Sequence, residues 1–244
     1  MTKKSKALAV ALLLGAGAAQ GQTCSDTSFE GVAYTVCDVP AGADLRLWLT
    51  APDGRPVASF ERLRDLAAAE GREVVFAMNA GMYHADRSAV GLHIEDGETQ
   101  SQAVTAGGGG NFGLLPNGVF CILPGSFAVV ETKAFLAAPP ACTHATQSGP
   151  MLVIGGELHP RFLVDSDSTY IRNGVGVSAD GQTARFALSQ GAVNFHTFGR
   201  FFRDVLGTPE ALYLDGSISR IYAPELGLDQ GGRPMGPIVG LRAD

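Results

Sequence analysis

Short runs of apolar or alternating residues dominate the sequence, and they follow the two-residue period of strands more often than the period of helices. Runs of this length that are bounded by Gly, Pro, Asn or Asp predict β-strands. We predict strands at residues 34–39, 45–50, 74–78, 90–95, 119–123, 151–154, 175–178, 185–189 and 211–214.

Two segments instead have the periodicity of amphipathic helices. Residues 60–70 (FERLRDLAAAE) place their apolar side chains on one face and stop before Gly71. Residues 197–206 (TFGRFFRDVL) start at Thr197 as a candidate N-cap and stop before Gly207. The pattern therefore predicts an α+β domain whose strand-rich core is a mixed sheet with a few flanking helices.

The first residues have the features of a secretory signal peptide. Lys3, Lys4 and Lys6 precede an apolar segment at 7–14, and small residues continue to Gly21. The apolar segment is shorter than the roughly 20 residues that a membrane-spanning helix needs. We expect a signal peptide at 1–21, a single domain at 22–244, a secreted or periplasmic location, and no membrane contact after cleavage.

The charge balance argues against a nucleic-acid partner. The chain has 18 Lys and Arg against 24 Asp and Glu, which gives a net charge of −6. Cleavage after Gly21 would remove three Lys and no acids, so the mature chain would have 15 basic against 24 acidic residues, a net charge of −9. Nucleic-acid surfaces are basic, although a local arginine can still bind a single phosphate.

The 4 Cys of an exported chain predict disulfides rather than free thiols. No C-x-x-C pair occurs that would indicate a zinc or redox motif. Four Cys allow three pairings. We favour Cys24 with Cys37 and Cys121 with Cys142, because each pair closes a short loop.

Familiar cofactor and metal motifs do not fit, so we predict no cofactor and no metal site. The segment GGGNFG at 108–113 matches G-x-G-x-x-G, but Pro116 blocks the helix that a dinucleotide site requires. The segment DSDSTY at 165–170 lacks the Gly of a calcium loop, and no two His occur at metal-ligand spacing.

Four predicted strands begin or end at a small polar group beside a Gly. An Asp-Gly step alone is also a strong hairpin signal, so one such junction is an ordinary turn. Four in one domain indicate strand ends that converge on a cleft, each contributing a polar atom and little bulk. The junctions are Asn79-Ala80-Gly81, Ser148-Gly149, Arg172-Asn173-Gly174 and Asp215-Gly216-Ser217.

In order and spacing, these segments resemble the phosphodiester glycosidase family. The resemblance extends from about residue 73 to 222, and the sequence departs from the family pattern at Ala80, at Asn173-Gly174 and at Ser217-Ile218. These departures resemble a divergent, exported bacterial branch. The matching segments are 79–83 (NAGMY), 90–92 (VGL), 147–150 (QSGP), 172–176 (RNGVG) and 214–217 (LDGS).

The resemblance implies an enzyme that cleaves a sugar 1-phosphodiester or a related glycan linkage, with a carbohydrate or sugar phosphate as substrate. Asp215 would be base, nucleophile or stabiliser of the sugar cation. Arg172 would neutralise the leaving phosphate. Arg87 and His84 are weaker candidates for the same cleft. The expected substrate-binding residues are Asn79, Gly81, Ser148, Gly149, Asn173, Gly216 and Ser217.

Two other classes of function remain open at this point. The same cleft could belong to a non-catalytic exported module that binds a glycan or a phosphorylated polymer. It could also belong to a metal-assisted phosphodiesterase with Asp165, Asp167 and Asp215 as ligands.

Overall fold

The computed structural model of the protein describes residues 23–107, 109–215 and 218–243. The predicted signal peptide, Gly216 and Ser217 lie outside these ranges. The strands of the described ranges are β1 (Thr23–Phe29), β2 (Val32–Pro40), β3 (Asp44–Trp48), β4 (Glu73–Asn79), β5 (His93–Glu95), β6 (Glu98–Ser101), β7 (Gly118–Leu123), β8 (Ser126–Glu131), β9 (His144–Ser148), β10 (Met151–Ile154), β11 (Glu157–Leu158), β12 (Asn173–Val177), β13 (Thr183–Ser189), β14 (Glu210–Tyr213), β15 (Ile221–Ala223), β16 (Leu228–Asp229) and β17 (Ile238–Ala243). The α-helices are α1 (Phe60–Ala69), α2 (Thr132–Ala137) and α3 (Phe195–Arg200). Two 3-10 turns, Asn111–Gly113 and Pro224–Leu226, and a π-helix, Phe201–Val205, complete the regular structure of these ranges.

The strands form three sheets around one core. The first has the order β1-β2-β13-β12-β14-β10-β11, the second β16-β15-β4-β17-β3, and the third β6-β5-β9-β7-β8. The α+β class, the strand-rich core and the small number of helices are confirmed. Each of the nine predicted strands corresponds to an observed one, with bounds that differ by a few residues.

In the described ranges, neighbouring strands pair antiparallel, where the sequence had suggested a mixed sheet. Parallel neighbours need a crossover connection, usually a helix. Helix α1 makes such a crossover between β3 and β4, but β17 lies between these strands and pairs antiparallel with both.

Phenylalanine side chains join the three sheets at the centre of the core. The ring of Phe186 in the first sheet lies 5.1 Å from that of Phe76 in the second and 5.7 Å from that of Phe120 in the third, measured between centroids. All three side chains are buried. Because protein interiors are close-packed, this contact fixes the three sheets relative to one another.

Helices cover the outer faces of the sheets. Ser59 caps α1 by accepting a hydrogen bond from the Arg62 amide at 3.2 Å, and the helix buries Leu63 against the second sheet. No helix in the described ranges combines the length and hydropathy needed to cross a membrane.

The start of α3 differs from the prediction. The N-cap is Asn194 rather than Thr197, because the Asn194 Oδ1 accepts a hydrogen bond from the Thr197 amide at 2.9 Å. The helix continues into the π-helix and stops at Gly207, which has a left-handed φ of 63°. It packs on β12 at Gly176, where a Cβ would come within 2.8 Å of the Phe202 ring.

Both predicted disulfides are confirmed. Cys24 and Cys37 are directly opposite each other in the β1–β2 ladder and are bonded. Cys121 of β7 is bonded to Cys142, which precedes the neighbouring strand β9. The first bond holds an edge strand to its sheet, and the second ties a loop to the third sheet.

We expect mature protein that is made in an oxidising compartment to contain no titratable thiol, since all four Cys are paired. A thiol assay on unfolded, non-reduced protein checks the number, and peptide mapping without reduction checks the pairing. Two or more free thiols, or a crossed pair such as Cys24 with Cys121, would contradict this arrangement.

Candidate functional site

A cleft of about 480 Å³ opens where strand ends of the different sheets meet. Its walls combine one carboxylate, two tyrosines, a glycine-rich turn and a polar loop. The residues that line it are Met82, Tyr83, Val90, Gly109, Gly110, Asn111, Phe112, Ser168, Tyr170 and Asp215.

Asp215 is brought to the cleft by the buried strand β14. Side chains alternate along this strand, so Leu212 packs in the central core and Tyr213 packs on the side of α3. Leu214 is held by two neighbours: its amide donates to the Asn173 carbonyl at 3.2 Å, and its carbonyl accepts from Ser148 Oγ at 2.5 Å. The chain is therefore fixed immediately before Asp215, whose side chain is 5% exposed.

Asn79 and Asn173 form a buried pair that joins the second sheet to the first. Asn173 Nδ2 donates to the Asn79 carbonyl at 2.8 Å, and Asn79 Nδ2 lies 3.5 Å from Asn173 Oδ1. The Oδ1 of Asn79 accepts from the Arg220 amide at 2.8 Å. Both amides thus use their polar atoms inside the protein, and they tie β4, β12 and the segment before β15 together.

Ser219 links this pair to the backbone of the candidate catalytic residue. Its Oγ lies 3.3 Å from Asn173 Oδ1, 3.3 Å from the Asp215 carbonyl and 3.1 Å from the Ile171 carbonyl. The Ser219 hydroxyl therefore bridges the Asp215 carbonyl and the Asn79–Asn173 pair.

Ser148, Gly81 and Gly149 lie in the packing behind the cleft. Ser148 is fully buried and donates to the chain just before Asp215. A Cβ on Gly81 would come within 2.7 Å of the Gln147 carbonyl, and one on Gly149 within 2.6 Å of Asn117 Cβ. At both positions the backbone lies so close to another part of the same chain that a side chain would not fit, which explains the two glycines.

Arg172 is fully buried and does not line the cleft. Its Nε donates to the Val193 carbonyl and its Nη2 to the Ser168 carbonyl, both at 2.8 Å. The guanidinium lies 3.7 Å from the ring centre of Phe195 and 5.3 Å from that of Tyr213. Ser168 lines the cleft, so Arg172 holds this part of the cleft wall through a hydrogen bond from inside the protein.

The charges around the site shift the pKa values of two tyrosines. Burial raises the pKa of Tyr213 to about 12; Arg172 opposes the rise and Asp215 adds to it. Burial also raises the pKa of Tyr83, and the Asp215 carboxylate adds to the rise while Arg87 and Arg220 oppose it. Both hydroxyls therefore remain protonated at neutral pH and can donate hydrogen bonds.

Of the predicted site residues, the structure places Asp215 in the cleft and brings Asn79, Asn173 and Ser148 into one network behind it. Gly216 and Ser217 lie outside the described residues. The sequence patterns did not identify Tyr170 or Asn111 as site residues, and they included Tyr83 only as part of a motif. Two features of the sequence could have indicated these residues. Tyr83 is close to Gly81 in the chain, and a glycine-rich run precedes Asn111.

The described residues contain no group of three or more His, Cys, Asp or Glu side chains that could hold a metal ion. Asp165 and Asp167 are exposed, and neither lines the cleft with Asp215.

Solved structures of similar shape include the catalytic domain of zebrafish N-acetylglucosamine-1-phosphodiester alpha-N-acetylglucosaminidase, auto-inhibited by its pro-peptide. It superposes with a TM-score of 0.60 and 16% identity, over 92% of this chain and 83% of that one. An exported-protein candidate from Burkholderia pseudomallei K96243 superposes with a TM-score of 0.58 and 12% identity, over 86% and 74%. At these identities the likeness shows a shared fold.

Sequence comparison adds a closer relation. Uncharacterized protein YigE of Escherichia coli (strain K12) is 36% identical over 216 residues, which are 88% of this chain and 83% of YigE. The sequence profile of the NAGPA phosphodiester glycosidase family matches residues 72–235, which include Asn79, Arg172 and Asp215. The chain therefore belongs to the phosphodiester glycosidase family.

Proposed function

We propose that this protein is a hydrolase that cleaves a sugar 1-phosphodiester between the anomeric carbon and the phosphate oxygen. The observation that carries the proposal is the composition of the cleft: among its described lining residues, Asp215 is the one carboxylate. Ordinary glycosidases use two carboxylates, one of them to protonate a poor leaving group. A phosphodiester leaves without such an acid, so a single carboxylate suits this substrate.

In the proposed reaction, the bond between the anomeric carbon and the phosphate oxygen breaks, and the bonding pair stays with the phosphate as a monoester. Water supplies the hydroxyl group of the free sugar, and its proton is released to the monoester or to solvent. Asp215 stabilises the positive charge that develops on the sugar, and the buried strand β14 holds it in place.

We assign Arg172 a positioning role. Two of its donors bind backbone carbonyls, and its guanidinium stacks on Phe195, so its described contacts are with protein groups. Through the Ser168 carbonyl it orders the loop that carries Tyr170 into the cleft. Asn79, Asn173 and Ser148 would likewise position the strand ends instead of holding the sugar.

We also propose that the protein works outside the cytoplasm. The signal-peptide pattern at 1–21 and the two disulfides support this location.

Asp215→Asn should lower turnover of a sugar 1-phosphodiester by at least ~100-fold, because the amide brings no charge to the sugar cation. The shape of the side chain is retained, so the melting temperature should stay within about 5 °C of the wild type. Phosphomonoester release from a panel of p-nitrophenyl sugar phosphodiesters, together with thermal unfolding, measures both.

Asp165→Asn provides the matched control, since it removes the same charge from an exposed loop position. It should retain wild-type turnover. Near-normal activity of a folded Asp215→Asn variant would remove Asp215 from the mechanism. A large loss in Asp165→Asn, reversed by added divalent metal, would favour the metal-assisted phosphodiesterase instead.

Arg172→Lys should loosen the cleft loop, because an ammonium group cannot reproduce the planar fork that binds the two carbonyls. Tyr170 and Val193 exchange backbone hydrogen bonds of 3.1 and 2.8 Å. Loss of a charged contact beside them should speed hydrogen exchange at these amides about 10- to 100-fold. Residue-resolved hydrogen exchange measures this change.

Arg161→Lys is the control in the same loop, where the side chain is exposed. Its exchange pattern should match the wild type. If Arg172→Lys left protection at Tyr170 and Val193 unchanged and reduced only the turnover of charged substrates, Arg172 would instead bind the leaving phosphate.

A further inference from the structure

Arg87 occupies a strained position beside the cleft. Its φ is 77°, in the left-handed region that residues other than Gly seldom adopt. The turn is closed by hydrogen bonds from the Arg87 amide to the His84 carbonyl at 2.9 Å and from the His84 amide to the Ser88 carbonyl at 2.8 Å. A long cationic side chain is therefore kept where Gly would fit with less strain, which points to a use for its charge.

The guanidinium of Arg87 stacks on a wall of the cleft. Its Cζ lies 5.3 Å from the ring centre of Tyr83, and that ring lines the cleft with Asp215. The neighbouring carboxylate does not neutralise it, because Asp86 accepts hydrogen bonds from Ser88 instead, at 2.6 Å from the hydroxyl and 3.0 Å from the amide.

Arg220 supplies a second positive charge that acts on Tyr83, and its side chain lines a separate cavity with Arg64 and Asp229. Its Nη1 donates to the Arg233 carbonyl at 2.8 Å, and its amide binds Asn79, so the segment is anchored to the network behind Asp215. In the described ranges neither Arg87 nor Arg220 forms an ion pair, whereas most other arginines do, including Arg46 and Arg242.

Three charged side chains act on the Tyr83 hydroxyl group. The pKa of Tyr83 is raised by burial and by Asp215, and it is lowered by Arg87 and Arg220. Of these three groups, the Asp215 carboxylate lines the cleft, and the Arg87 guanidinium stacks on a ring that lines it.

We infer that Arg87, supported by Arg220, binds the phosphate group of the substrate, with the Tyr83 ring as its platform. This inference rests on the proposed function and names the residues that recognise its anionic part. A sugar 1-phosphodiester carries its negative phosphate directly on the carbon where positive charge develops. The Asp215 carboxylate in the cleft and the unpaired Arg87 on the Tyr83 ring match that arrangement of charge, and Arg220 adds a more distant positive charge.

Arg172 cannot serve this role from its present position, because two of its donors bind backbone carbonyls and its side chain is buried. Arg87 is partly exposed beside the cleft, so its donors are accessible to a ligand. Arg220 is partly exposed in the separate cavity, so it acts on the phosphate through its charge at longer range.

Binding of truncated substrates, which keep the sugar and its anomeric phosphate, tests the inference without requiring turnover. The probes are the α-1-phosphates of glucose, galactose, mannose and N-acetylglucosamine, with the methyl α-glycosides of the same sugars as neutral counterparts. Isothermal titration should show that Arg87→Gly weakens binding of the best 1-phosphate about 10- to 100-fold. Gly accepts the left-handed φ, so this variant should fold at least as well as the wild type.

Two further variants sharpen the result. Arg87→Lys keeps the charge but loses the planar stacking and should show a smaller loss. Arg220→Gln should weaken 1-phosphate binding and should leave any binding of the methyl glycosides unchanged. The control is Arg161→Gln, an exposed arginine that forms no ion pair in the described ranges, and it should bind the 1-phosphate like the wild type.

Unchanged affinity in Arg87→Gly would overturn the inference, as would the absence of saturable 1-phosphate binding to the wild type up to about 10 mM. Failure of the proposed function gives a different result. The 1-phosphate would then bind and depend on Arg87, while no phosphodiester is turned over.

Discussion

The architecture of the site depends on the buried amide pair of Asn79 and Asn173. A buried amide without partners is costly, so each of these side chains stays where its hydrogen bonds are made. The pair joins the end of a strand in one sheet to the start of a strand in another. The Arg220 amide binds the Asn79 side chain, and the Ser219 hydroxyl binds the Asn173 side chain. Strand ends that are distant in sequence are thereby held around one cleft.

The network separates the residues that hold the site from those that face it. Ser148, Asn79 and Asn173 have their polar groups bound inside the protein, and Arg172 is enclosed by aromatic rings. Asp215 and the two tyrosines face the cleft. Preorganised groups stabilise a developing charge more effectively than groups that must first move, so such a rigid shell is a useful basis for catalysis.

Nine of the seventeen described strands and the candidate carboxylate were accessible from sequence because they produce local patterns. Apolar runs located strands such as β4 and β14, and the Asp-Gly step after β14 located Asp215. Strand β9 (HATQS) was missed, because its buried face includes polar side chains. Gln147, for example, bonds to the Leu92 amide at 3.0 Å and to the Val104 carbonyl at 2.7 Å. Such partners belong to the tertiary structure and leave no period in the chain.

The environment of Arg172 could not be predicted from the sequence for a similar reason. The motif identified a distinctive arginine, but its burial depends on Phe195 and Tyr213, which come from later parts of the chain. The left-handed turn at Arg87 likewise has no clear sequence signal, since Gly or Asn is the usual residue at such a position.

The identity of the bond that the proposed hydrolase breaks tests its mechanism most directly. A sugar 1-phosphodiester is hydrolysed in ¹⁸O-labelled water, and the released phosphomonoester is examined by phosphorus NMR for the isotope shift of a labelled oxygen. Attack of water at the anomeric carbon should leave the phosphate unlabelled, because the label enters the sugar. Label in the phosphate would show attack at phosphorus and would contradict this mechanism.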